Sequence, residues 1–259
     1  MKTVNKLYNI TEMMVIAGSR LFENGKCVVV GTGLPVLSTL LAQSTHAPQL
    51  VLIYEAGSLA PLKPPTIPIS VGDSMASYKA IMTASMDYTM SFIQSGFGEY
   101  GFLGAAQIDP FGNINTTVIG SHKNPKVRLP GSGGANDFAS LCWKTIIMMR
   151  QDKNKFVKKL DYITSPGYLE GYNSREKIGL PSNTGPWRVV TQFGIFGFEN
   201  EEKKMTLLKM YPGVTINTIQ ENSSFKIQTI DDIQIESEPT NKELILLRAL
   251  DPYGILLKK

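Results

Sequence analysis

The chain has 259 residues, of which 42% are hydrophobic and 19% charged, enough to bury a large core and ordinary for a globular protein. Its net charge of +4 is mild, and no basic stripe with interleaved aromatics appears, which argues against nucleic-acid binding. No run of about 18 apolar residues occurs, which argues against a membrane span.

Thr11 to Phe22 reads as a helix, with Thr11 as its cap and Met14, Val15, Gly18, Leu21 and Phe22 at helical spacing. The start, Met1 to Glu12, lacks a long apolar core and a cleavage site, so no signal peptide is expected. Asn24-Gly25 ends the helix, and Cys27 to Val30 is a short buried strand running into Gly31-Thr32-Gly33-Leu34-Pro35. Pro35 suits the first turn of a second helix, which presents Val36, Leu37, Leu40 and Leu41 inward and breaks at His46-Ala47-Pro48. Leu50 to Tyr54 is a continuous apolar run, as in a parallel-sheet strand buried on both faces, and it ends at Glu55. The order helix, strand, helix, strand implies a parallel crossover. Glu55 then sits at a strand's C-terminal end, where open α/β sheets hold ligands, and the small Ala56 and Gly57 let a substrate or neighbouring backbone come close.

Pro61 to Pro68 carries four prolines and reads as an ordered loop over the sheet edge. Asp73 to Phe92 reads as a helix whose methionines, at 75, 82, 86 and 90, are expected to be adaptable core. Phe102 to Ile108 is another buried strand, Asp109-Pro110-Phe111-Gly112-Asn113 a turn, and Ile114 to Ile119 extended. Gly131-Ser132-Gly133-Gly134-Ala135 comes just before a short helix at Phe138 to Trp143, followed by a strand at Thr145 to Met149. Such a run can turn successive backbone N–H groups toward one anion, either a phosphate or a developing oxyanion. Lys153, Lys155, Lys158 and Lys159 form a basic cluster, read as a solvated face with phosphate binding as the other reading. Extended segments at Trp187 to Thr191, Gly194 to Phe198 and Met205 to Met210 suggest an antiparallel edge, and Leu244, Leu247, Arg248 and Leu250 a last helix stopped by Asp251-Pro252. The expected fold is α/β: an open, mostly parallel sheet flanked by helices, with an antiparallel extension in the C-terminal third. No linker divides the chain, so residues 1–259 are read as a single domain.

Several site chemistries compete. Gly31-Thr32-Gly33 after a strand, with Glu55 downstream, invites an NAD-binding reading, but Val36 stands where the third glycine of that motif belongs and Pro35 removes a donor. His46 and His122 belong to no ligand-spaced cluster, so no metal is expected, and His122 reads as surface. No Gly-x-Ser-x-Gly elbow supports a serine-histidine triad. Cys27 and Cys142 read as buried thiols of a reducing compartment, and the expected location is the cytoplasm.

The stretches Glu55-Ala56-Gly57, Gly104 to Asp109, Gly112 to Asn115 and Gly131 to Asn136 occur in an order that resembles the β subunits of class I CoA-transferases, the glutaconate CoA-transferase β subunit above all. Gly31 to Pro35, Ser70 to Asp73 and Thr164 to Gly167 look similar too, and the likeness weakens beyond about residue 215. The resemblance implies an open α/β fold working with a related α subunit. It also implies a glutamate, here Glu55, that attacks an acyl-CoA thioester and forms a mixed anhydride, then a glutamyl-CoA thioester, before CoA passes to a second carboxylic, possibly dicarboxylic, acid. Coenzyme A is then substrate, and no permanently bound cofactor is expected. The attack needs preorganised donors for the thioester oxygen. The expected oxyanion and CoA-binding set is Gly131, Gly133, Gly134 and Ala135 with the side chains of Gln107 and Asn115. Many relatives have serine or asparagine where this chain has Ala56, which removes one side-chain donor. The rival readings are a ring-opening hydrolase or decarboxylase subunit of the same fold and a non-enzymatic subunit. The retained glutamate and glycine run favour transfer; a tail from Met210 to Val214 that looks like a ring-hydrolase β chain favours the hydrolase.

Overall fold

The computed structural model describes residues 7–257. The expectation of no signal peptide falls partly on Met1–Lys6, outside the described residues.

Helix α1 (Ile10–Ser19) is capped by Asn9, not Thr11: the Asn9 side chain accepts from the Glu12 N–H while Glu12 reaches back to the Asn9 N–H. Strand β1 (Cys27–Val30), helix α2 (Leu34–Ser44) and strand β2 (Val51–Tyr54) follow, with β1 and β2 parallel. After Glu55 the chain turns back as β3 (Ser58–Leu59), antiparallel to β2.

The expected helix from Asp73 to Phe92 is not one helix. It is a 3₁₀ turn (Ser74–Ser77), a short strand β4 (Met82–Thr83) and a helix α3 (Met86–Phe92). The cause lies at Gly57: the Ala84 N–H donates to the Gly57 carbonyl at 2.8 Å, and β4 pairs with β3, drawing the middle of the segment into the sheet. Its methionines are therefore not a core row: Met82 and Met86 are exposed, while Met90 is partly buried against the core.

Next come β5 (Tyr100–Leu103), a two-stranded hairpin β6 (Gln107–Ile108) and β7 (Ile114–Asn115), and a second hairpin β8 (Val118–Gly120) and β9 (Pro125–Arg128). Helix α4 (Ala135–Leu141) leads into β10 (Lys144–Met148). The short helix α5 (Ser174–Lys177) precedes β11 (Pro186–Val190), β12 (Gly194–Gly197) and β13 (Thr206–Met210). Helix α6 (Ile216–Glu221), strand β14 (Gln228–Ile235) and helix α7 (Asn241–Leu250) complete the order. The sequence reading did not place α5, α6 or β14.

Ten strands form one sheet in the order β14-β13-β12-β11-β10-β5-β1-β2-β3-β4. Its centre, from β2 through β1, β5 and β10 to β11, is parallel; β12 runs antiparallel to both β11 and β13, and β13 pairs in parallel with β14. Alternate residues of the central strands feed two cores. Val28, Val30, Leu52, Tyr54 and Phe102 pack with α1, α2 and α7 on one face. Val29, Ile53 and Leu103 pack with Phe138 of α4 and with Ile108, Ile114 and Phe156 on the other. Burial on both faces is why these strands carry uninterrupted apolar runs. Arg248 on Glu12 (2.7 Å) and Arg20 on Glu243 (2.8 Å) tie α7 to α1.

Candidate active site

Strand β1 pairs with β2 on one side and β5 on the other, so the chain's direction of travel across the sheet reverses at β1. Such a switch point leaves a crevice at the carboxyl ends of the strands. Gly31 and Thr32 leave β1 there, Glu55 leaves β2, and Gly104 and Ala105 leave β5, and all of them line one cleft of about 630 Å³. The far wall is the loop Leu129 to Gly133 with Ala135 and Phe138 of α4. Ile69, Ser70 and Val71, from the proline-rich connection after Glu55, close a third side. The volume suits a small ligand or one arm of a larger one.

Glu55 and the glycine run, 79 positions apart in sequence, meet directly: the Gly134 N–H donates to Glu55 Oε2 at 3.2 Å. A Cβ added to Gly134 would lie 2.7 Å from the same oxygen, and one added to Gly133 would lie 3.5 Å from Oε1. The backbone therefore approaches the carboxylate as closely as only glycine allows at 134. Gly131 and Gly133 also have φ of +96° and +49°, a region that favours glycine. The Gly133 N–H makes no hydrogen bond among the described residues and is exposed at the cleft, whereas the Ala135 N–H is spent on the Ser132 carbonyl. Burial pushes the Glu55 carboxyl above its ordinary range; the Gly134 N–H opposes this and the negative charge of Asp137 adds to it.

Gln107 and Asn115 are buried and do not line the cleft. Gln107 Nε2 donates to Asp161 Oδ2 at 2.8 Å, and Asn115 Nδ2 donates to Gln107 Oε1 at 2.7 Å and to the Val118 carbonyl at 2.6 Å. Their side-chain donors are committed inside the protein, which corrects the expectation that they face a thioester oxygen. Their effect is one step removed. Asn115 Oδ1 accepts from the Thr117 and Val118 N–H groups and so fixes the bend that carries Thr116. Thr116 in turn clasps Gly131 from both sides, accepting from its N–H (2.9 Å) and donating from Oγ1 to its carbonyl (2.8 Å).

Sequence reasoning did not single out Arg175. It is buried, and its guanidinium donates to the Ala139 and Ser140 carbonyls at the end of α4, to the Pro166 and Gly167 carbonyls, and to Thr184 Oγ1. Asn136 Nδ2 adds a bond to the Thr164 carbonyl at 2.9 Å. The strap Thr164 to Gly167 is thereby bolted to the helix whose other end meets Glu55. No local pattern in the sequence announces this, because the acceptors are backbone carbonyls and one hydroxyl, which carry no side-chain signature of a partner for arginine.

Among the described residues the His46 ring is hydrogen-bonded to Thr45 Oγ1 and the Phe22 carbonyl, and His122 is exposed, stacked on Tyr162. Among the described residues no group of three or more His, Cys, Asp or Glu is arranged to hold a metal ion, and no helix is long and apolar enough to cross a membrane. Val36 is fully buried at the start of α2, where a dinucleotide-binding turn needs a glycine. Cys142 is buried, Cys27 is partly exposed, and both are free thiols.

Residues 11–222 match the coenzyme A transferase family. The B subunit of the 3-oxoadipate CoA-transferase of Pseudomonas knackmussii is 40% identical over 245 residues, covering 94% of each chain. The B subunit of the glutaconate CoA-transferase of Acidaminococcus fermentans is 36% identical over 255 residues, covering 95% of this chain and 93% of that one. The crystal structure of glutaconate coenzyme A-transferase from the same organism superposes with a TM-score of 0.92 at 34% identity, covering 98% of both chains.

Proposed function

The chain belongs to the coenzyme A transferase family, and from that premise we propose that it is the β subunit of a two-subunit enzyme in which Glu55 carries the acyl and CoA groups in turn. The observation that carries the proposal is the contact of Glu55 with the glycine loop at the sheet's switch point. A carboxylate is a weak nucleophile and needs fixed geometry and partial desolvation. Gly134 holds one oxygen of Glu55 while leaving the other free to attack.

The reaction proceeds in balanced exchanges. A Glu55 oxygen attacks the thioester carbonyl carbon, the C–S bond of the adduct breaks, and CoA leaves as thiolate, leaving a mixed anhydride of Glu55 and the acyl group. The thiolate then attacks the Glu55 acyl carbon, releasing the donor's acid as carboxylate and leaving a glutamyl-CoA thioester. The incoming acid reverses the two steps. The Gly133 N–H is the donor we assign to the oxygen that gains charge; losing one such donor typically costs on the order of 3 kcal/mol. No resident cofactor is needed. Gly131, Ser132 and Ala135 shape the wall that the thioester meets.

An α subunit completes the site. The relatives are B subunits of their enzymes, and the segment beside the cleft exposes several large apolar side chains, including Ile69, Ile81, Met86 and Phe97. The named acids of those relatives, 3-oxoadipate and glutaconate, make a dicarboxylate the first acid to try. A reducing cytoplasm suits the two free thiols.

Mass spectrometry of the α/β complex after exposure to a panel of acyl-CoAs is expected to find a CoA adduct on the peptide bearing Glu55. Hydroxylamine should discharge it, and Glu55→Gln should abolish both adduct and transfer. Full transfer by Glu55→Gln sinks the assignment; release of free product without a second acid points instead to a hydrolase.

A further inference from the structure

The stretch between Asp109 and Asp137 contains no carboxylate, yet it holds Lys123, Lys126 and Arg128 together with His122. All four lie on the β8–β9 hairpin and all are exposed. Among the described residues neither lysine has an ion-pair or hydrogen-bond partner, and Arg128 donates only to the His122 carbonyl. Lys126 and Arg128 are two apart on a strand and so share one face. The Lys126 side chain lies over Gly120, 3.3 Å from where a Cβ there would be. The hairpin springs from the cleft itself: Thr116 and Leu129 line the pocket beside Glu55, and the Leu129 N–H is bonded to the Thr117 carbonyl.

From Leu129 to Pro125 the strand reaches about 13 Å from the rim at roughly 3.3 Å per residue. At the tip, His122 stacks on Tyr162 with ring centroids 5.4 Å apart, which brings in the neighbouring segment with exposed Lys158 and Lys159. The cleft wall, by contrast, carries no cation: Glu55 is the single charged residue among those lining it. Positive charge on this flank is therefore held away from the reacting centre, on an arm.

We propose that the β8–β9 hairpin is the seat of the phosphate groups of the CoA thioester, with Lys123, Lys126 and Arg128 as the cations that hold them; the proposal rests on the transferase reading of Glu55. A CoA thioester has this layout of charge. Its reacting carbon is neutral, and its three phosphate groups sit at the far end of an extended, uncharged pantetheine arm. An anion seated at the hairpin leaves that arm to run along the rim past Leu129 and Pro130 to Glu55. Arg128 suits the bidentate recognition of a phosphate, and the lysines act as point charges.

The test uses the complex of this chain with its α subunit. Binding is measured by calorimetric titration on the Glu55→Gln background, so that the result does not depend on turnover, and KM is measured with Glu55 intact. The ligands are one acyl group carried by CoA, by 3′-dephospho-CoA and by pantetheine alone. The triple variant K123E/K126E/R128E is expected to weaken acyl-CoA binding and raise its KM at least about tenfold, with a flatter salt dependence. The KM for acyl-pantetheine should stay where it is, and acyl-dephospho-CoA should fall between. Melting temperature and co-purification with the α subunit check that the triple variant is intact. The single variants Lys123→Gln, Lys126→Gln and Arg128→Gln, each expected to raise KM by a smaller factor, serve if it is not. Unchanged affinity for acyl-CoA, equal losses for acyl-CoA and acyl-pantetheine, or loss of the α subunit with no change in ligand affinity each overturn the proposal. Should Glu55→Gln remain active while the hairpin variants still weaken acyl-CoA selectively, only the reading of Glu55 falls.

Discussion

Replacing Gly134 with alanine separates the position of Glu55 from the stability of the fold. The backbone at 134 has φ −78° and ψ 0°, which alanine adopts without strain. The added Cβ would lie 2.7 Å from Glu55 Oε2 and 2.8 Å from Met90 Cε, both at the ends of flexible side chains, and 3.2 Å from Phe138 Cε1. The carboxylate oxygen must retreat by about 0.7 Å to reach ordinary contact at 3.4 Å, which lengthens a hydrogen bond already at 3.2 Å beyond useful range. A misplacement of about 1 Å at a reacting group costs on the order of 10²-fold in rate. Gly131→Ala is the counterpart: φ is +96° and nothing lies within 4 Å, so it strains the backbone by about 1 kcal/mol without touching Glu55. Steady-state transfer by the complex and thermal melting should therefore rank the two in opposite orders. Gly134→Ala loses about 10²-fold in kcat with the smaller change in Tm, while Gly131→Ala loses about 2–4 °C and less activity. A Gly134→Ala enzyme at full rate refutes the claim that this glycine positions the nucleophile.

Because burial raises the Glu55 pKa and the proposed nucleophile is the carboxylate, the acid limb of kcat/KM should lie above the usual 4.5, and Asp137→Asn should move it down by removing the neighbouring negative charge; a limb at or below 4.5 contradicts this. Burial also pushes Asp109 from 3.8 up to about 6, so the folded state holds that proton more tightly than the unfolded chain does. The resulting stability, about 3 kcal/mol, is present below pH 3.8 and is lost as pH rises through 6. The Tm of Asp109→Asn relative to the parent should therefore improve between about pH 4 and pH 7.5, and a difference independent of pH would count against it. Gly57→Ala places a Cβ 1.8 Å from the Ala84 carbonyl oxygen at a φ of +114°, so it should cost at least about 3 kcal/mol and lower Tm by several degrees; a Tm within about 2 °C would show that the β3–β4 edge gives way freely.

The central strands and the first two helices were legible because one kind of information decides them. Val28 to Val30 and Leu52 to Tyr54 are apolar on both faces, and only a doubly covered strand uses such a run. Glu55 was legible for the same reason, as the first charge after an apolar strand. The segment from Asp73 to Phe92 was not, because its conformation is set by a partner: without the hydrogen bond between Ala84 and Gly57 a helical reading of those methionines is consistent with local propensity. Gln107 and Asn115 misled for a related reason. Their neighbours in sequence line the cleft, but side-chain direction depends on where the acceptors are, and those are Asp161 for Gln107, and Gln107 Oε1 and the Val118 carbonyl for Asn115. Arg175 marks the far limit: its role exists only through the carbonyls of two other stretches of chain and the hydroxyl of Thr184.

Two carboxylates among the described residues have raised pKa values, the half-buried Glu55 and the buried Asp109, and comparing them shows what singles out Glu55. Asp109 is the more deeply buried, and its pKa stands high even though it accepts from the Phe111 and Asn113 N–H groups and from Asn113 Nδ2. Those three bonds occupy the lone pairs that an attack would need, so Asp109 is basic but not available. Glu55 accepts one backbone N–H, at 3.2 Å, and otherwise faces the cleft. Desolvation outweighs that single bond, so the carboxylate is held less favourably than in water while one oxygen remains uncommitted. A raised pKa alone thus does not mark a nucleophile. The chemistry we propose follows from a carboxylate short of hydrogen bonds, fixed by one donor, beside a second N–H at Gly133 that is still free to meet the charge it creates.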